Sequence, residues 1–421
     1  MDRFVVRPSG QLHGDVRVEG AKNSALKLMA ACLLSEGTSR LSEVPEIADV
    51  TIMTEVLRAI GAVVEHRDGV LSVSTPASLT PVAPYELVEK MRASFVVLGP
   101  LLARVGHAKV SLPGGDDFGS RPIDFHLRAL TELGASFSSE HGYIEGRADR
   151  LVGARIVLDF PSHTATDNVL MAAVLAKGTS VIENAAREPE VQDLAAFLTS
   201  MGARIQGAGT NRIEVEGVDC LHPADHVCIP DRVEAATFLI AAAMTGGEVR
   251  VQRAVASDMD MLLEKLIAMG VEIDRGEDSI VIRSAGALAS VDVATLPYPG
   301  VATDYKPPLV AALSVASGVS IASENLFAGR FRYIDELRRM GADIRTEGHH
   351  AIIRGVPALS GAQVRAPDIR AGAALVLAGL VAEGETVIAG VEHIDRGYFD
   401  FAGKLARLGA DIERVSTPTS S

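Results

Sequence analysis

Apolar and polar positions in this chain change period abruptly, and the same change recurs six times. Before a glycine the apolar residues follow a helical period, and after it they alternate as in a strand. Glycine suits the left-handed conformation that ends many helices, so each phrase predicts a helix that leads into a strand. The six copies are LRAIGAVV (57–64), LTELGASF (130–137), LTSMGARI (198–205), LIAMGVEI (266–273), LRRMGADI (337–344) and LARLGADI (405–412).

A second recurring pattern is a helix of small and apolar residues with no polar face, followed by a glycine and an alternating strand. Clear examples cover residues 25–44, 168–185 and 374–391. A helix that is apolar on every side is buried, so these segments predict helices inside the protein. The glycines predicted to end them are Gly37, Gly106, Gly178, Gly247, Gly318 and Gly384.

The two patterns together define a repeat of 68 to 73 residues, measured between Gly61, Gly134, Gly202, Gly270, Gly341 and Gly409. A repeat with a fully buried helix does not fit a thin solenoid, so we expect the repeats to pack in groups. Six repeats predict two α/β domains of three. We expect residues 22–229 to form one domain, and residues 1–21 with 230–421 to form the other.

Composition agrees with two sizeable domains, because 48% of the 421 residues are apolar and 22% are charged. No apolar run reaches the roughly 20 residues of a membrane span, and the first residues lack the apolar region of a signal peptide. Cys32, Cys220 and Cys228 form no disulfide framework, which favours a cytoplasmic location. The net charge of −14 disfavours nucleic acid and anionic membranes as partners.

Several buried helices begin near a cation, against the overall sign of the chain. Because helix starts attract anions, Lys22, Arg92, Arg232 and Arg370 predict anion binding. The alternative is ordinary capping, which applies more readily to polar residues at the same places. Those polar residues are Asn23, Thr166 and Asp167, and the fifth buried helix follows Thr303 and Asp304.

The most unusual loop spans residues 113–124 and holds three glycines, Asp116, Asp117 and Arg121. Glycines let a backbone approach a ligand, so this loop predicts a lid. The alternative is an ordinary long loop; the calcium-binding spacing of an EF-hand is absent.

Arginines also stand in loops at equivalent points of later repeats, in residues 184–190, 324–332 and 393–398. One arginine alone is more often solvated or paired with an acid. Together they indicate a highly anionic small molecule held between the two domains, because arginine matches carboxylate and phosphate. No metal site is predicted: His349 and His350 are adjacent in an expected strand, so their side chains should point apart.

These segments resemble the enolpyruvyl transferases along the whole chain. The family fold is an inside-out α/β barrel of two domains, each with three βαβαββ-type units, and the active site lies in the cleft between them. The resemblance also implies a mobile loop at residues 112–122. The matching segments are residues 20–23, 91–94, 113–115, 119–122, 184–189, 230–232, 303–304, 368–371 and 393–398.

The resemblance implies a reaction and its two partners. The 3′-hydroxyl of UDP-N-acetylglucosamine would add to phosphoenolpyruvate, and the adduct would then lose phosphate. This is the first committed step of peptidoglycan synthesis, which serves the cell wall, cell shape and cell division. No cofactor or metal is implied, and we expect a monomer.

The resemblance also implies the site residues. The implied catalytic residues are Lys22, Asp116, Asp304 and Arg396. The implied phosphoenolpyruvate ligands are Lys22, Asn23, Arg121, Arg330, Arg370 and Arg396. The implied UDP-sugar ligands are Asn23, Arg92, Arg121, Pro122, Ile123, Asp124, Phe125, Ser162, His163, Thr164, Asp304 and Leu326.

Three departures from the family pattern bear on function. Asp116 stands where the family commonly has cysteine, so alkylation by the epoxide fosfomycin is not expected. His163 and Thr164 replace a small apolar residue and glycine, and Tyr305 and Lys306 replace an apolar residue and glutamine. These changes leave two alternatives open: transfer to another nucleotide such as UMP, or an inactive ligand-binding protein of the same fold.

Overall fold

The computed structural model describes residues 2–112, 123–327 and 329–416. Contacts along the chain divide these residues into two compact units. The N unit comprises residues 20–112 and 123–229, and the C unit comprises residues 2–19 and 230–416. The chain therefore changes unit after Glu19 and again after Ile229.

Short strands occur throughout both units. In chain order they are β1 (Asp2–Val6), β2 (Leu12–Arg17), β3 (Gly37–Ser42), β4 (Val63–Arg67), β5 (Val70–Thr75), β6 (Val82–Ala83), β7 (His107–Ser111), β8 (Ser136–Glu140), β9 (Tyr143–Arg147), β10 (Arg155–Val157), β11 (Thr179–Glu183), β12 (Arg204–Gln206), β13 (Arg212–Glu216), β14 (Asp225–Val227), β15 (Gly247–Gln252), β16 (Glu272–Arg275), β17 (Ser279–Ser284), β18 (Val293–Ala294), β19 (Val319–Ser323), β20 (Asp343–Glu347), β21 (His350–Arg354), β22 (Leu359–Ser360), β23 (Gln363–Arg365), β24 (Ala382–Glu383), β25 (Thr386–Ala389) and β26 (Ile412–Ser416).

The helices alternate with these strands. They are α1 (Lys22–Ala31), α2 (Ala48–Ile60), α3 (Tyr85–Val88), α4 (Leu98–Val105), α5 (Asp124–Glu132), α6 (His163–Ala173), α7 (Pro189–Ser200), α8 (Arg232–Thr245), α9 (Asp260–Ala268), α10 (Lys306–Leu313), α11 (Tyr333–Arg339), α12 (Ile369–Leu380), α13 (Val391–Ile394) and α14 (Phe401–Arg407). Within the described residues, none of these helices has the length and apolar character needed to span a membrane.

Within the described residues, six four-stranded sheets share one topology, three in each unit. In each sheet an edge strand runs parallel to its neighbour, and the remaining two strands are antiparallel. The orders in the N unit are β14-β3-β5-β4, β6-β7-β9-β8 and β10-β11-β13-β12. The orders in the C unit are β2-β15-β17-β16, β18-β19-β21-β20 and β23-β25-β1-β26. This common topology is the structural form of the repeat.

Strands from the ends of each unit complete its sheets. In the N unit β14 follows the third repeat and pairs in parallel with β3 of the first. In the C unit β1 completes the last sheet, with Val5 opposite Val387, and β2 pairs with β15. The first strands of the chain are therefore part of the same unit as its last residues.

Helices without a polar face lie at the centre of each unit. Every residue of α10 and α12 is buried, and these two helices pack against each other and against α8. In the N unit α4 packs against α6 so closely that a Cβ at Gly99 would lie 2.3 Å from the carbonyl oxygen of Asn168. The prediction of buried helices is confirmed.

The six glycines of the recurring phrase all have positive φ, from 88° to 113°. Gly61, for example, caps α2 and donates its N–H to the carbonyl of Leu57 at 3.1 Å. Their predicted role at helix ends is confirmed, because only glycine adopts this conformation at little cost.

The predicted ends of the buried helices are partly wrong. Only α4 ends directly at its glycine, Gly106. Helix α6 stops at Ala173, five residues before Gly178, and α10 stops at Leu313, five residues before Gly318. A hydrogen-bonded turn separates each helix from its strand, because the chain must leave the core before it can pair in an outer sheet.

Candidate active site

A carboxylate held between two arginines lies at the start of α10 in the C unit. The Oδ1 atom of Asp304 accepts a hydrogen bond from Nη1 of Arg330 at 2.7 Å, and its Oδ2 atom accepts one from Nε of Arg370 at 3.1 Å. Both arginines are almost fully buried. Asp304 and Arg330 lie in the fifth repeat and Arg370 in the sixth, and the fold brings the three into one cluster.

Charge, and not burial, sets the ionisation of Asp304. Burial alone would raise its pKa, but the charges and hydrogen bonds of Arg330 and Arg370 outweigh burial and hold the pKa well below its usual range. Asp304 is therefore an anion at neutral pH. While both arginines are bound to it, the carboxylate is a weak base.

The position of Arg370 is fixed from both ends. The side chain of Asp368 caps α12 and accepts hydrogen bonds from the N–H groups of Arg370 and Ala371. The guanidinium lies 5.2 Å from the centre of the Tyr398 ring, and the Tyr398 hydroxyl is 2.8 Å from Oγ1 of Thr237. The Nη1 atom of Arg370 is buried and has no hydrogen-bond partner among the described residues. A buried donor of this kind can serve an anionic ligand.

Lys306, one of the departures from the family pattern, is enclosed within the C unit. Its side chain is fully buried, and its Nζ atom lies 2.6 Å from Oε2 of Glu324. The carboxylate of Glu324 stabilises the ammonium against the burial that disfavours its charge. The sequence pattern singled out residues 324–332 only for their arginines, so Glu324 was not predicted as the partner of Lys306.

Arg232 at the start of α8 is held by aromatic side chains. Its Nη1 atom donates to the Tyr305 hydroxyl at 3.1 Å, and its guanidinium lies 5.5 Å from the centre of the Tyr298 ring. The helix itself is capped by Asp231. The positive charge of Arg232 had suggested an anion site, and the face of the Tyr298 ring stabilises part of this charge.

Arg396 and Leu326 lie in the same unit as this cluster. Arg396 follows α13 and precedes Gly397, where a Cβ would lie 3.5 Å from Nη1 of Arg370. The N–H of Leu326 donates to Oε1 of Glu324 at 2.9 Å. Arg396 is therefore next to a residue that lies close to Arg370, and Leu326 contacts Glu324, the partner of Lys306.

In the N unit, Lys22 begins α1 and is paired with an acid. Its Nζ atom lies 2.7 Å from Oδ2 of Asp49, and both side chains are buried. Asn23 follows at the second position of the helix and is half-buried. Asp49 was missed in the sequence because it lies in another helix, α2, with no motif around it.

The start of α6 differs from the capping predicted for it. Ser162 is the N-cap residue and accepts a hydrogen bond from the N–H of Ala165 at 3.4 Å. Thr166 and Asp167 lie inside the helix and are buried, so their interpretation as caps is wrong. Thr166 instead accepts a hydrogen bond from the N–H of Ala186 at 3.0 Å, which ties α6 to the following loop.

His163, one of the departures from the family pattern, belongs to a buried charged cluster. Its Nε2 atom lies 3.2 Å from Nζ of Lys27 and 3.4 Å from Oδ2 of Asp167. Lys27 and Asp167 are themselves 3.5 Å apart. Burial raises the pKa of Asp167 to about 7, against the charge of Lys27, which lowers it. This carboxyl group therefore titrates near neutral pH.

Thr164 is positioned by a buried histidine that the sequence did not reveal. Nε2 of His126 lies 3.2 Å from the Thr164 hydroxyl, and Nδ1 of His126 lies 3.0 Å from Nδ2 of Asn168. Because an amide nitrogen only donates, Nδ1 must accept, and the ring carries its proton on Nε2. Burial, with the charge of Arg92, lowers the pKa of His126 to about 3 and keeps the ring neutral.

Asp124 and Phe125, two predicted acceptor ligands, form the start of α5, and Ile123 precedes it. The ring of Phe125 is stacked on Phe160, with ring centres 6.5 Å apart. A cavity of about 230 Å³ lies beside Phe125, and its other lining residues include Arg128, Arg155 and Asp159. Both arginines are paired with acids, Arg128 with Asp159 and Arg155 with Glu183.

Some predicted residues lie outside the described part of the chain. Asp116, Asp117, Arg121 and Pro122 belong to residues 113–122, the greater part of the predicted mobile loop 112–122.

Among the described residues, no group of three or more His, Cys, Asp or Glu side chains is arranged to bind a metal. The prediction that His349 and His350 point apart is wrong, because their ring centres are 3.9 Å apart. His349 lies in the turn before β21 and escapes the strand alternation.

Comparison with known proteins identifies the family of this chain. The family model for EPSP synthase (3-phosphoshikimate 1-carboxyvinyltransferase) matches residues 6–405. The chain is 51% identical over 418 residues to UDP-N-acetylglucosamine 1-carboxyvinyltransferase 2 of Carboxydothermus hydrogenoformans, covering 99% of this chain and 100% of that protein. It is 50% identical to UDP-N-acetylglucosamine 1-carboxyvinyltransferase of Mycolicibacterium paratuberculosis, covering 98% and 99%.

Solved structures agree on the fold. The enolpyruvyl transferase NikO from Streptomyces tendae matches with a TM-score of 0.89 and 25% identity, over 99% of each chain. EPSP synthase from Acinetobacter baumannii matches with a TM-score of 0.76 and 20% identity, over 99% of this chain and 100% of that one. The fold predicted from the repeats and the resemblance, the enolpyruvyl transferase fold, is confirmed.

Proposed function

Because this chain belongs to the EPSP synthase (3-phosphoshikimate 1-carboxyvinyltransferase) family, we propose that it transfers a carboxyvinyl group from phosphoenolpyruvate to UDP-N-acetylglucosamine. The observation that carries the choice of acceptor is full-length identity of about half to relatives named for that reaction. The Asp304 cluster supplies groups of the kind that such a reaction needs.

In the proposed reaction the 3′-hydroxyl oxygen of the sugar bonds to C2 of phosphoenolpyruvate, and C3 gains a proton. The hydroxyl proton passes to Asp304. In the second step the bond from C2 to the phosphate oxygen breaks, C3 loses a proton, and the double bond forms again. Atoms and charge balance without a cofactor, so the protein has to position the reactants and stabilise their charge.

Arg330 and Arg370 would hold the carboxylate of phosphoenolpyruvate. Their guanidinium groups now bind Asp304, so the incoming carboxylate competes with a carboxylate of the protein. When the arginines turn to the substrate, Asp304 loses part of the stabilisation that lowers its pKa. Substrate binding would thereby convert Asp304 from a weak base to a stronger one.

The variant Asp304→Asn tests this role. Asparagine can still accept a hydrogen bond from an arginine but cannot take up a proton. We expect phosphate release to fall by about 10²–10⁴-fold, the usual worth of a general base. Because the competing charge is gone, phosphoenolpyruvate should bind at least as tightly in calorimetry. A variant that keeps most of its activity would show that Asp304 is not the base.

The remaining charge would be met by further cations. Lys22, Arg121 and Arg396 are proposed to hold the phosphate. Lys22 is already oriented by Asp49, with which it shares a 2.7 Å ion pair. Several fixed cations are needed because both substrates are strongly anionic.

The acceptor would be bound mainly by the N unit. The start of α6 offers backbone N–H groups and a partial positive charge to a diphosphate. The stacked ring of Phe125 and the neighbouring cavity suit the nucleoside. The proposed acceptor ligands are Asn23, Arg92, Arg121, Pro122, Ile123, Asp124, Phe125, Ser162, His163, Thr164, Asp304 and Leu326.

Asp116 is proposed as the acid that protonates C3, in place of the cysteine common in the family. A carboxyl group has a reference pKa of about 3.9, against about 8.5 for a thiol, so it needs an upward shift to donate near neutral pH. A carboxylate is also a poor nucleophile toward an epoxide, and we expect resistance to fosfomycin. Inactivation of the unmodified protein by stoichiometric fosfomycin would contradict this, and Asp116→Cys should create sensitivity.

The proposed reaction is the first committed step of peptidoglycan synthesis. It would make the protein a cytoplasmic enzyme required for the cell wall, and hence for cell shape and division. We propose that the monomer is the active species. Depletion of the protein in its own cells should deplete the enolpyruvyl product and cause lysis; growth with a normal wall would oppose this role.

A second acceptor deserves testing because His163 changes the proposed diphosphate site. An imidazole bonded to Lys27 stands at the start of α6, where the family commonly has a small apolar residue. This bulkier, ionisable group favours a smaller nucleotide, and UMP is the simplest probe.

One experiment separates the candidates. The purified protein is incubated with phosphoenolpyruvate and either UDP-N-acetylglucosamine, UMP or no acceptor, and phosphate release is measured. Release only with the UDP-sugar supports the proposed function, and release only with UMP supports the alternative. Silence with both acceptors, together with measurable binding of phosphoenolpyruvate, would favour an inactive binding protein.

A further inference from the structure

Lys306, the first residue of α10, is completely buried next to the Asp304 cluster. Its Nζ atom lies 2.6 Å from Oε2 of Glu324 and donates to the carbonyl oxygen of Arg330 at 2.8 Å. It also lies 4.0 Å from the centre of the Phe331 ring. An ammonium has three N–H donors and no acceptor, and these three contacts are enough to occupy them.

Glu324 joins this lysine to the turn that precedes Arg330. Its Oε2 atom also accepts a hydrogen bond from the Thr303 hydroxyl at 2.8 Å. Its Oε1 atom accepts bonds from the Thr295 hydroxyl at 2.8 Å and from the N–H groups of Leu326 and Phe327 at 2.9 and 3.1 Å. One carboxylate therefore ties together the end of β18, the start of α10 and the turn.

Arg330 is consequently held at both ends by the same network. Lys306 binds its backbone carbonyl, and Nη1 of its guanidinium donates to the Thr303 hydroxyl at 2.9 Å. Thr303 in turn donates to Glu324. A shift of Lys306 would therefore reach Arg330 through its backbone and through its side chain.

We propose that Lys306, in its charged form, is a positioning residue that holds Arg330 ready for the carboxylate of the substrate. This inference rests on the proposed function, because it takes that carboxylate to be the one on phosphoenolpyruvate. Lys306 itself touches no substrate. Its effect should fall on phosphoenolpyruvate and leave the nucleotide acceptor unaffected.

The charge of Lys306 is sensitive to pH near the physiological range. Burial lowers its pKa to about 8, although the charge and hydrogen bond of Glu324 raise it. The other charged groups that act on it are Arg330 and Asp368.

Other elements packed against α10 direct their charges elsewhere or are apolar at the contact. Arg370 of α12 binds Asp304, and Arg232 of α8 binds the Tyr305 hydroxyl. Strand β21 buries Ala351 and Ile353. Besides burial, the protonation of Lys306 is thus decided by Glu324, Arg330 and Asp368.

The test is calorimetric binding of phosphoenolpyruvate at pH 7 and pH 9 to the unmodified protein, Lys306→Gln and Lys404→Gln. Lys404 is a matched control, because it is also a buried lysine of the C unit and is paired with Glu19 and Glu234. Binding without an acceptor avoids any dependence on which nucleotide the protein uses.

We expect the affinity of the unmodified protein to fall about tenfold between pH 7 and pH 9, as the charged fraction of Lys306 falls. Lys306→Gln should bind about 10- to 100-fold more weakly at pH 7, because small displacements of a binding group have effects of this size. Its affinity should no longer change with pH over this range. Lys404→Gln should match the unmodified protein at both pH values.

The two proposals fail in different ways. An unmodified protein that does not bind phosphoenolpyruvate contradicts the proposed function. Normal binding by folded Lys306→Gln, or a fall with pH that persists in it, contradicts the role of Lys306. If Lys306→Gln does not fold, the unmodified protein still decides: equal affinity at pH 7 and pH 9 overturns the inference, and a fall at unchanged melting temperature supports it.

Discussion

Two buried lysines, one in each unit, are paired with buried carboxyl groups whose pKa values shift in opposite directions. In the C unit, Lys306 lies 2.6 Å from Glu324, whose two oxygens also accept hydrogen bonds from four other donors. In the N unit, Lys27 lies 3.5 Å from Asp167, whose carboxylate oxygens accept no hydrogen bond from the described residues. We call these the Lys306 pair and the Lys27 pair.

The difference shows in the carboxyl groups. Burial acts to raise both pKa values, but Lys306 and the surrounding hydrogen bonds lower the pKa of Glu324 overall. The pKa of Asp167 instead rises to about 7, because burial outweighs the charge of Lys27 and the charges of Glu188 and Glu190 raise it further. A nearer cation, hydrogen bonds to the charged form and fewer neighbouring acids therefore keep Glu324 ionised, although both acids are buried.

The strongest test of the comparison is to remove each carboxylate charge. Glu324→Gln leaves the ammonium of Lys306 buried without its counter-charge, and we expect a loss of about 3–5 kcal/mol of unfolding free energy. Asp167→Asn should instead raise the unfolding free energy at pH 7, because a buried carboxyl group with a raised pKa already destabilises the folded protein at that pH. Urea unfolding of both variants measures the contrast; equal losses would mean that the two pairs are equivalent.

The pH dependence of stability should also differ in sign. The folded pKa of Asp167, about 7, exceeds its unfolded value of about 3.9, so its contribution is complete below pH 4 and lost as pH rises toward 7. Asparagine resembles the neutral carboxyl group. The unfolding free energy of Asp167→Asn should therefore equal that of the unmodified protein near pH 4 and exceed it at pH 8 by about 2–4 kcal/mol.

Glu324 has a lowered pKa and should act in the opposite direction. Its contribution to the unfolding free energy is present above pH ~4.3 and is lost on acidification. Melting temperatures across pH 4–8 test this, and parallel curves for Asp167→Asn and the unmodified protein would oppose it.

A kinetic contrast should follow from the different substrates served by the two pairs. His163→Val removes the imidazole between Lys27 and the start of α6, and we expect the KM of the nucleotide acceptor to rise by up to about tenfold, the equivalent of one hydrogen bond. The KM of phosphoenolpyruvate should stay unchanged. Lys306→Gln should show the reverse pattern. Steady-state kinetics with each substrate varied would reveal a shared effect, which would contradict this division.

An exposed ion pair should contribute least to the unfolding free energy. Arg354 and Asp343 are 3.5 Å apart on neighbouring strands, with side chains that are 71% and 61% exposed. Solvent screens such a pair, so Arg354→Gln should change the unfolding free energy by less than about 1 kcal/mol. A larger loss in urea unfolding would mean that ion pairing itself, without burial, explains the effect of Glu324→Gln.

The fold was largely predictable because its signals are local. A helix that ends at Gly61 and a strand that follows it are specified by spacing within a few residues, and the six phrases recur accordingly. The exact ends of α6 and α10 were not predictable, because the length of the turn depends on where the outer sheet lies. The orientation of His349 was mispredicted for a related reason. The turn before β21 includes residue 349, so this side chain does not follow the alternation of the strand.

The candidate site was predictable in composition but not in its pairing. The cations Lys22, Arg330 and Arg370 were identified by their positions at helix starts and in equivalent loops, together with the family resemblance. The acids that pair with Lys22 and Lys306 were not predictable, because Asp49 and Glu324 carry no motif. The capping roles given to Thr166 and Asp167 were wrong because the helix begins earlier, after Ser162.

The sequence by itself determined the repeat, the buried helices and the kinds of charged group that the site contains. Periodicity is enough for these, because backbone hydrogen bonds and side-chain alternation depend on neighbours along the chain. Only the tertiary structure decided which charges are available to a ligand. Asp304 meets Arg370 from 66 residues away, and Lys306 is enclosed by Glu324. Ionisation depends on burial and on partners from distant segments, and no local pattern contains that information.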